Sequence, residues 1–348
     1  MKRPPIYFVA HHLRRRWPEL DHETASMPLA EVPPSRWMPL ENIWIVSTYL
    51  RLRAAGQDVR IVDGPVAGAI NICCDERAGV SSDSSEAFLV FTQGDRERMP
   101  WADYRLVQSP AQLRGSRVTL MRHWPQPGLI PRNASRGTRL ERLGYVGPIV
   151  NLDAAFRSSD FRNALGTLGV ELVIRDDPAH WRDFSDLDSV VAVRPWPFYV
   201  IRTKPATKLV HAWLTGVPAL LGPEPSYRYW GTDGEDYFEV RSPDEAVAVV
   251  KRLKDEPALY EQVWQRGLQK GREHDEQAVL RQWIEVLDGP LADAYGEWRN
   301  MAPRIRLARR IARPIRRHLW RVNHGVFRLA LLPSRVHQAR ASTASADI

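Results

Sequence analysis

The sequence predicts an α/β protein with two domains, and two observations support this prediction. Short apolar runs alternate with stretches of helical periodicity over residues 1–290, a pattern typical of parallel sheets covered by helices. A Pro-rich segment within residues 123–142 interrupts the alternation and contains too many prolines for a helix or a central strand. The chain of 348 residues is long enough for two domains of ordinary size.

The first series occupies residues 1–122. It begins with a buried strand over 6–10, followed by a helix over 41–55 whose apolar residues recur at helical spacing and which Gly56 ends. The remaining apolar runs predict strands over 58–62, 69–73, 87–92, 104–108 and 117–121. Residues 123–142 follow as a hinge.

The second series occupies residues 143–290. Strands are predicted over 143–147, 170–174, 189–193, 218–221 and 237–240. Helices are predicted over 153–165, 207–215, 242–253, 257–271 and 275–287, the second of them ended by Gly216. Residues 291–348 form a third region of C-terminal helices and a tail.

The tail contains the positive charge of the protein. From residue 301 onward there are eleven Arg and one acid, Asp347, which gives +10 and leaves −2 for the rest of a chain whose total is +8. Apolar residues recur in steps of three or four over 304–329, so a basic amphipathic helix is predicted, with Pro314 kinking or splitting it. Such a helix fits an anionic membrane surface, or it docks on its own domain; nucleic acid is the weakest alternative.

Several classes of protein are excluded. The only cysteines, Cys73 and Cys74, are adjacent, so neither a disulfide scaffold nor a Cys-rich metal site is expected. No secretory signal and no uninterrupted apolar stretch of membrane-spanning length occurs, which predicts a cytoplasmic protein. The dinucleotide, P-loop and nucleophile-elbow motifs are missing. Asp186 and Asp188 match a D-x-D metal motif, but they precede an apolar strand, where turn capping is the alternative function.

One segment has the composition of a phosphate site. Arg202, Lys204 and Lys208 precede or open the helix that follows the strand 189–193. In an open α/β sheet, loops at the carboxyl ends of strands border the ligand crevice, and a helix N-terminus binds anions. These three bases would therefore suit a diphosphate, and the tight return at Gly216 would bring Glu224 to the same rim.

The segment from Lys204 to Glu224, with Gly144-Tyr-Val-Gly147 before it, resembles the C-terminal nucleotide-sugar domain of group 1-like glycosyltransferases with the GT-B fold. The resemblance implies two Rossmann-like domains facing a cleft, with C-terminal helices that cross back to the first domain. It implies a nucleotide-sugar donor bound by Arg202, Lys204, Lys208, His211, Glu224 and Gly147, without a metal or other cofactor. Many retaining members carry two glutamates where this sequence has Thr203 and His211, so ribose binding by a carboxylate pair and the stereochemical outcome are not implied.

The catalytic base is less well indicated. His12 and Asp75 each follow a predicted strand of the first domain, on the side that faces the cleft in this fold, and either could take a proton from an acceptor hydroxyl. His123 either lines the cleft or packs within the hinge.

The sequence thus predicts a glycosyltransferase of cell-surface polysaccharide assembly, peripheral on the inner face of the plasma membrane, with a membrane- or lipid-linked glycan as acceptor. The alternatives are a nucleotide-sugar epimerase of the same fold and a non-catalytic protein that binds a nucleotide-sugar or a glycan.

Overall fold

The computed structural model describes residues 4–18, 20, 29, 32–37, 39–74, 86–96, 98–305, 307–309, 311–320 and 322. Within these residues the chain forms two separate parallel sheets, which confirms the α/β prediction. In the described part of the chain, no helix combines the length and the apolar composition needed to cross a membrane.

The first sheet has six parallel strands in the order β2-β1-β3-β4-β5-β6. Their bounds are Ile6–Val9 (β1), Val59–Val62 (β2), Ile70–Cys73 (β3), Phe88–Gly94 (β4), Tyr104–Val107 (β5) and Val118–Leu120 (β6). The chain reverses its direction across the sheet between β1 and β3, so the crevice at their carboxyl ends is a topological switch point.

The second sheet has five parallel strands in the order β11-β10-β9-β7-β8. Their bounds are Arg142–Val146 (β7), Glu171–Arg175 (β8), Ser189–Ala192 (β9), Ala219–Leu221 (β10) and Phe238–Glu239 (β11). The switch point lies here between β7 and β9, which are neighbours although β8 separates them in sequence.

Four predicted helices, over 207–215, 242–253, 257–271 and 275–287, lie within two residues of their observed bounds, whereas the helix predicted over 153–165 begins only at Ser159, after a 3-10 turn over Ala154–Arg157. Their bounds are Leu13–Arg16 (α1), Ser47–Ala54 (α2), Ser159–Thr167 (α3), Phe198–Ile201 (α4), Thr207–Thr215 (α5), Pro225–Trp230 (α6), Pro243–Asp255 (α7), Pro257–Arg272 (α8), Glu276–Asp288 (α9) and Pro290–Arg299 (α10). A π-helical turn over Asn42–Val46 leads into α2, and Gly216 ends α5 in the left-handed conformation. The short helices α1, α4 and α6 were not predicted from the sequence.

The last two helices return to the first sheet. Trp283 of α9 and Tyr295 of α10 belong to the same core cluster as Phe8 of β1 and Phe88 of β4. The two helices therefore cover one face of the first sheet, as the resemblance to the GT-B fold implies. By sequence α9 falls inside the range 143–290, yet it packs on the sheet formed by residues 6–120.

The D-x-D sequence is part of an ion-pair network. Asp188 is fully buried and accepts hydrogen bonds from Arg132 at 2.8 Å and from Arg136 at 2.6 Å, in addition to two backbone N–H groups at the start of β7. Burial alone would raise the pKa of Asp188, but the hydrogen bonds from Arg136 and Arg132 outweigh it and hold the pKa below its usual range. Asp186 pairs with Arg175 and Arg142. Both carboxylates thus anchor the second sheet.

Substituting Asp188 tests this structural role. We expect Asp188→Asn to lower the free energy of unfolding by about 3–5 kcal/mol, because Arg132 would remain buried without its counter-charge. The half-exposed Asp186 gives the matched control: Asp186→Asn should cost roughly 1 kcal/mol or less. Denaturant titration of both variants measures the difference, and equal small effects would contradict the network.

Candidate functional site

A cavity of about 330 Å³ lies between the two sheets. It opens at the carboxyl ends of β7 and β9, the switch point of the second sheet, and Pro125 and Pro127 of the Pro-rich linker form part of its wall. The lining residues are Trp37, Ile43, Ser47 and Arg51 from the first half, residues 123–127 of the linker, and Val146, Gly147, Pro148, Trp181, Phe184, Val190, Val191, Ala192, Arg194, Thr207, Lys208 and His211 from the second.

One buried cation of this cavity, Lys208, has no ion-pair partner among the described residues. The described lining of the cavity contains three cationic side chains, Arg51, Arg194 and Lys208, and no carboxylate. Arg51 pairs with Glu276, and Arg194 pairs with Glu224 from outside the lining. Within the described residues, Lys208 forms no ion pair; its ammonium donates to the carbonyl oxygen of Val146. A cavity of this kind favours an anion.

Lys208 lies in the first turn of α5 and reaches the end of β7. Its Nζ lies 5.2 Å from the ring centroid of Tyr145, and it occupies the space that a side chain at residue 147 would need. Gly147 has a φ of 137°, which other residues rarely adopt, so glycine is needed there on both counts. Burial, with Arg194 nearby, lowers the pKa of Lys208 to about 7.

Arg194 follows β9, and the buried carboxylate of Glu224 holds its guanidinium in place. Its guanidinium contacts Glu224 and donates to the Tyr227 hydroxyl at 3.1 Å. Burial raises the pKa of Glu224 although Arg194 opposes the shift, and burial also raises the pKa of Tyr227. Glu224 is 1% exposed and begins α6, so it positions Arg194 at the cavity wall.

The N-terminus of α5 adds backbone donors. Thr207, the first residue of α5, lines the cavity, and among the described residues no side chain caps this end of the helix. The first N–H groups of a helix have no partner within the helix and carry the positive end of its dipole. Together with Lys208, this terminus can hold a phosphate group.

Two histidines line the cavity in defined tautomers. The Nδ1 atom of His123 lies 2.6 Å from the carbonyl oxygen of Trp124, so Nδ1 carries the proton and Nε2 is the basic atom. His211 accepts a hydrogen bond from the N–H of Gln126 at Nε2, which leaves its proton on Nδ1. Burial lowers the pKa of both rings, that of His211 to about 3, so both are neutral near pH 7.

Of the predicted donor residues, the structure brings Lys208, His211 and Gly147 together in the cavity. Arg202 and Lys204 do not line it. The carbonyl oxygen of Arg202 accepts a hydrogen bond from Ser109 at 2.6 Å, and the ammonium of Lys204 lies 2.5 Å from Asp95. Because Ser109 and Asp95 follow strands of the first sheet, both residues hold the two halves together.

Of the two predicted bases, only His12 belongs to the described residues, and it does not line the cavity. His12 is exposed, with a φ of 56°, and is not among the lining residues. Asp75 lies outside the described residues. Sequence reasoning missed Arg194 and Thr207, and it left His123 open. The signal for Arg194 was its position directly after the apolar strand 189–193, where a side chain enters the crevice.

The fold is similar to those of solved glycosyltransferases. AviGT4, a glycosyltransferase involved in avilamycin A biosynthesis, superposes with a TM-score of 0.52 at 12% identity, over 83% of this chain and 98% of that protein. HepE of Anabaena, solved in complex with UDP, gives a TM-score of 0.49 at 12% identity over 82% and 99% of the two chains. TarM gives 0.48 at 8% identity over 71% of this chain, which spans 58% of the length of TarM.

The protein therefore has the two-domain GT-B fold of glycosyltransferases. No protein-family model matches the sequence, and no curated protein is similar to it in sequence.

The pKa of Lys208 gives the cavity a pH dependence. Below about pH 7 its ammonium is charged and attracts an anion, and above that pH an anion binds only with uptake of a proton. We expect the affinity for a nucleoside diphosphate to fall by up to about tenfold per pH unit above pH 7. Calorimetric titrations at a series of pH values measure this slope. It should vanish in Lys208→Met and persist in the control Lys204→Met, and a slope unchanged in Lys208→Met would contradict the assignment.

Proposed function

We propose that the protein is a glycosyltransferase that moves a sugar from a nucleotide-sugar to an acceptor. The observation that carries this proposal is the cavity at the β7–β9 switch point, in which Lys208, without an ion-pair partner among the described residues, and Arg194 lie beside a helix N-terminus. A diphosphate supplies the missing negative charge. The GT-B fold supports the same conclusion, since its neighbour AviGT4 is a glycosyltransferase.

In this proposal the second half of the chain, residues 143–290, binds the donor. Lys208, Arg194 and the N–H groups of α5 neutralise the charge that develops on the leaving diphosphate. One well-placed donor of this kind is worth about 3 kcal/mol of transition-state stabilisation. The N–H at Nδ1 of His211 is available to a hydroxyl or phosphate oxygen of the donor.

In this proposal a residue of the linker is the base that activates the acceptor hydroxyl. We assign the base to His123 rather than to His12, because Nε2 of His123 is unprotonated near pH 7 and the ring lines the cavity. It would take the proton from the acceptor hydroxyl as the new glycosidic bond forms. His123→Gln, which replaces the imidazole with an amide of similar size that cannot take up a proton, should reduce kcat by about 100-fold or more while donor affinity changes little. Steady-state kinetics separate the two effects, and unchanged kcat would exclude His123 as the base.

The basic tail supports a more specific acceptor. A membrane- or lipid-linked glycan of surface polysaccharide assembly would be presented at an anionic membrane surface, to which residues 304–329 would bind. Residues 1–122 would hold this acceptor, and the protein would act as a peripheral protein on the inner face of the membrane. Of residues 304–329, those from 323 onward lie outside the described part of the chain.

Incubation with a panel of labelled nucleotide-sugars tests the proposed reaction. Transfer to an acceptor, or slow hydrolysis of the donor to a free sugar and a nucleoside diphosphate, is expected; an isomerised sugar would show an epimerase instead. Gly147→Ala should reduce turnover at least about tenfold, because the new methyl group displaces Lys208. Gly56→Ala is the matched control, since Gly56 also has a positive φ, of 74°, while no described atom lies within 4 Å of the added carbon. Binding without turnover in every mixture would contradict catalysis.

A further inference from the structure

The C-terminal helix, residues 303–305, 307–309, 311–320 and 322, docks on the first sheet through two arginines. The Nη2 atom of Arg313 lies 2.5 Å from one oxygen of Asp103, and that of Arg309 lies 2.7 Å from the other. Asp103 is 1% exposed in its side chain and Arg313 is 7% exposed, so this ion pair is buried. Arg313 also donates to the carbonyl oxygen of Ala87.

An aromatic contact completes the docking. Trp320 packs edge-to-face on Trp101, with 5.4 Å between the ring centroids, and joins the cluster on the sheet face opposite α9 and α10. At 100° per residue, positions 309, 313 and 320 fall on one edge of the helix. The side of the helix that contacts the first sheet therefore contains Arg309, Arg313 and Trp320.

The apolar side of the helix faces away from the protein. Twelve large hydrophobic residues are exposed in the described part of the chain, and six of them lie on this helix. Each is about half exposed: Ile305, Leu307, Ile311, Ile315, Leu319 and Val322. They form a continuous stripe, which we call the outer stripe. Half of the exposed large hydrophobic residues thus lie in one short segment, which marks an interaction surface.

The positive charge of the tail indicates which kind of partner covers the outer stripe. No acidic residue occurs between positions 301 and 346, and the exposed Arg304 and Arg316 lie on the same helix. A second copy of the chain would bring another tail of +10 against this one, which repulsion disfavours. An anionic lipid surface accepts apolar side chains and attracts basic ones, at about 1 kcal/mol for each basic residue near it.

We infer that the outer stripe inserts into an anionic bilayer, while Arg309 and Arg313 hold the helix to Asp103 and do not contact lipid. The inference rests on the membrane association proposed above and adds which face of the helix binds. Because the helix is fixed to the first sheet, the bilayer would lie along the face of that sheet opposite α9 and α10. The first half of the chain, which would hold the acceptor, is then the half next to the membrane.

Vesicle co-sedimentation of the full chain tests the inference. Vesicles of phosphatidylglycerol and phosphatidylcholine should bind the unaltered protein, and vesicles of phosphatidylcholine alone should bind it much less. The double variant Ile311→Glu/Ile315→Glu should lose at least about 100-fold in affinity, because two inserted side chains are replaced by charges. Leu113→Glu/Val150→Glu is the matched control, since it makes the same charge change at exposed apolar residues elsewhere.

A fluorescent label reports the orientation independently. Cys73 and Cys74 are buried, so a polarity-sensitive dye can be attached at Ile315→Cys, with Val150→Cys as the control. Anionic vesicles should shift the emission of the first conjugate to the blue and leave the second unchanged. This measurement needs no disruptive substitution.

Each other outcome overturns the inference. Equal vesicle binding by the double variant and the unaltered protein would exclude the outer stripe but leave membrane association intact. No binding by the unaltered protein would exclude both. Vesicle-independent self-association that the double variant abolishes would show a second copy on the stripe. Nucleotide-sugar turnover, measured without vesicles on the same preparations, tests the proposed reaction separately.

Discussion

The central physical constraint in this protein is a buried lysine, Lys208, that has no ion-pair partner among the described residues. Lys208 and Arg194 enter one cavity at the carboxyl ends of neighbouring parallel strands, and Glu224, which lies outside the lining of that cavity, pairs with Arg194. Burying a cation is costly, and the lowered pKa of Lys208 is the measure of that cost. The fold maintains this unfavourable arrangement with Gly147, whose missing side chain leaves room for the ammonium.

The linker and the C-terminal helices are arranged around this site. The linker between the sheets supplies His123 to the cavity wall, while Lys204 and Asp95 join the two halves beside it. The chain then returns through α9 and α10 to the first sheet, and the C-terminal helix covers the opposite face of that sheet. One molecule can therefore bind an anionic donor, activate an acceptor from the linker and lie with its first half beside a membrane.

Most helices and strands could be predicted from the sequence, because the spacing of apolar residues and the glycines that end helices are signals carried by residues close together in the chain. The prediction of α5 over 207–215 matches its bounds. The site was less predictable, since it depends on contacts between distant residues. Three bases close in sequence were expected to act together, but Lys204 reaches Asp95 across the cleft while Lys208 turns into the cavity. Periodicity likewise predicted the apolar side of the C-terminal helix, whereas its outward orientation depends on Asp103, which lies 210 residues before Arg313.

The most direct test of the account compares a nucleoside diphosphate with the matching nucleoside by calorimetry. If Lys208 and Arg194 hold a diphosphate, the diphosphate should bind at least about 100-fold more tightly, and this advantage should be lost in Lys208→Met. Equal affinities for the two ligands, across uridine and guanosine pairs alike, would contradict the claim that this cavity is built for an anion.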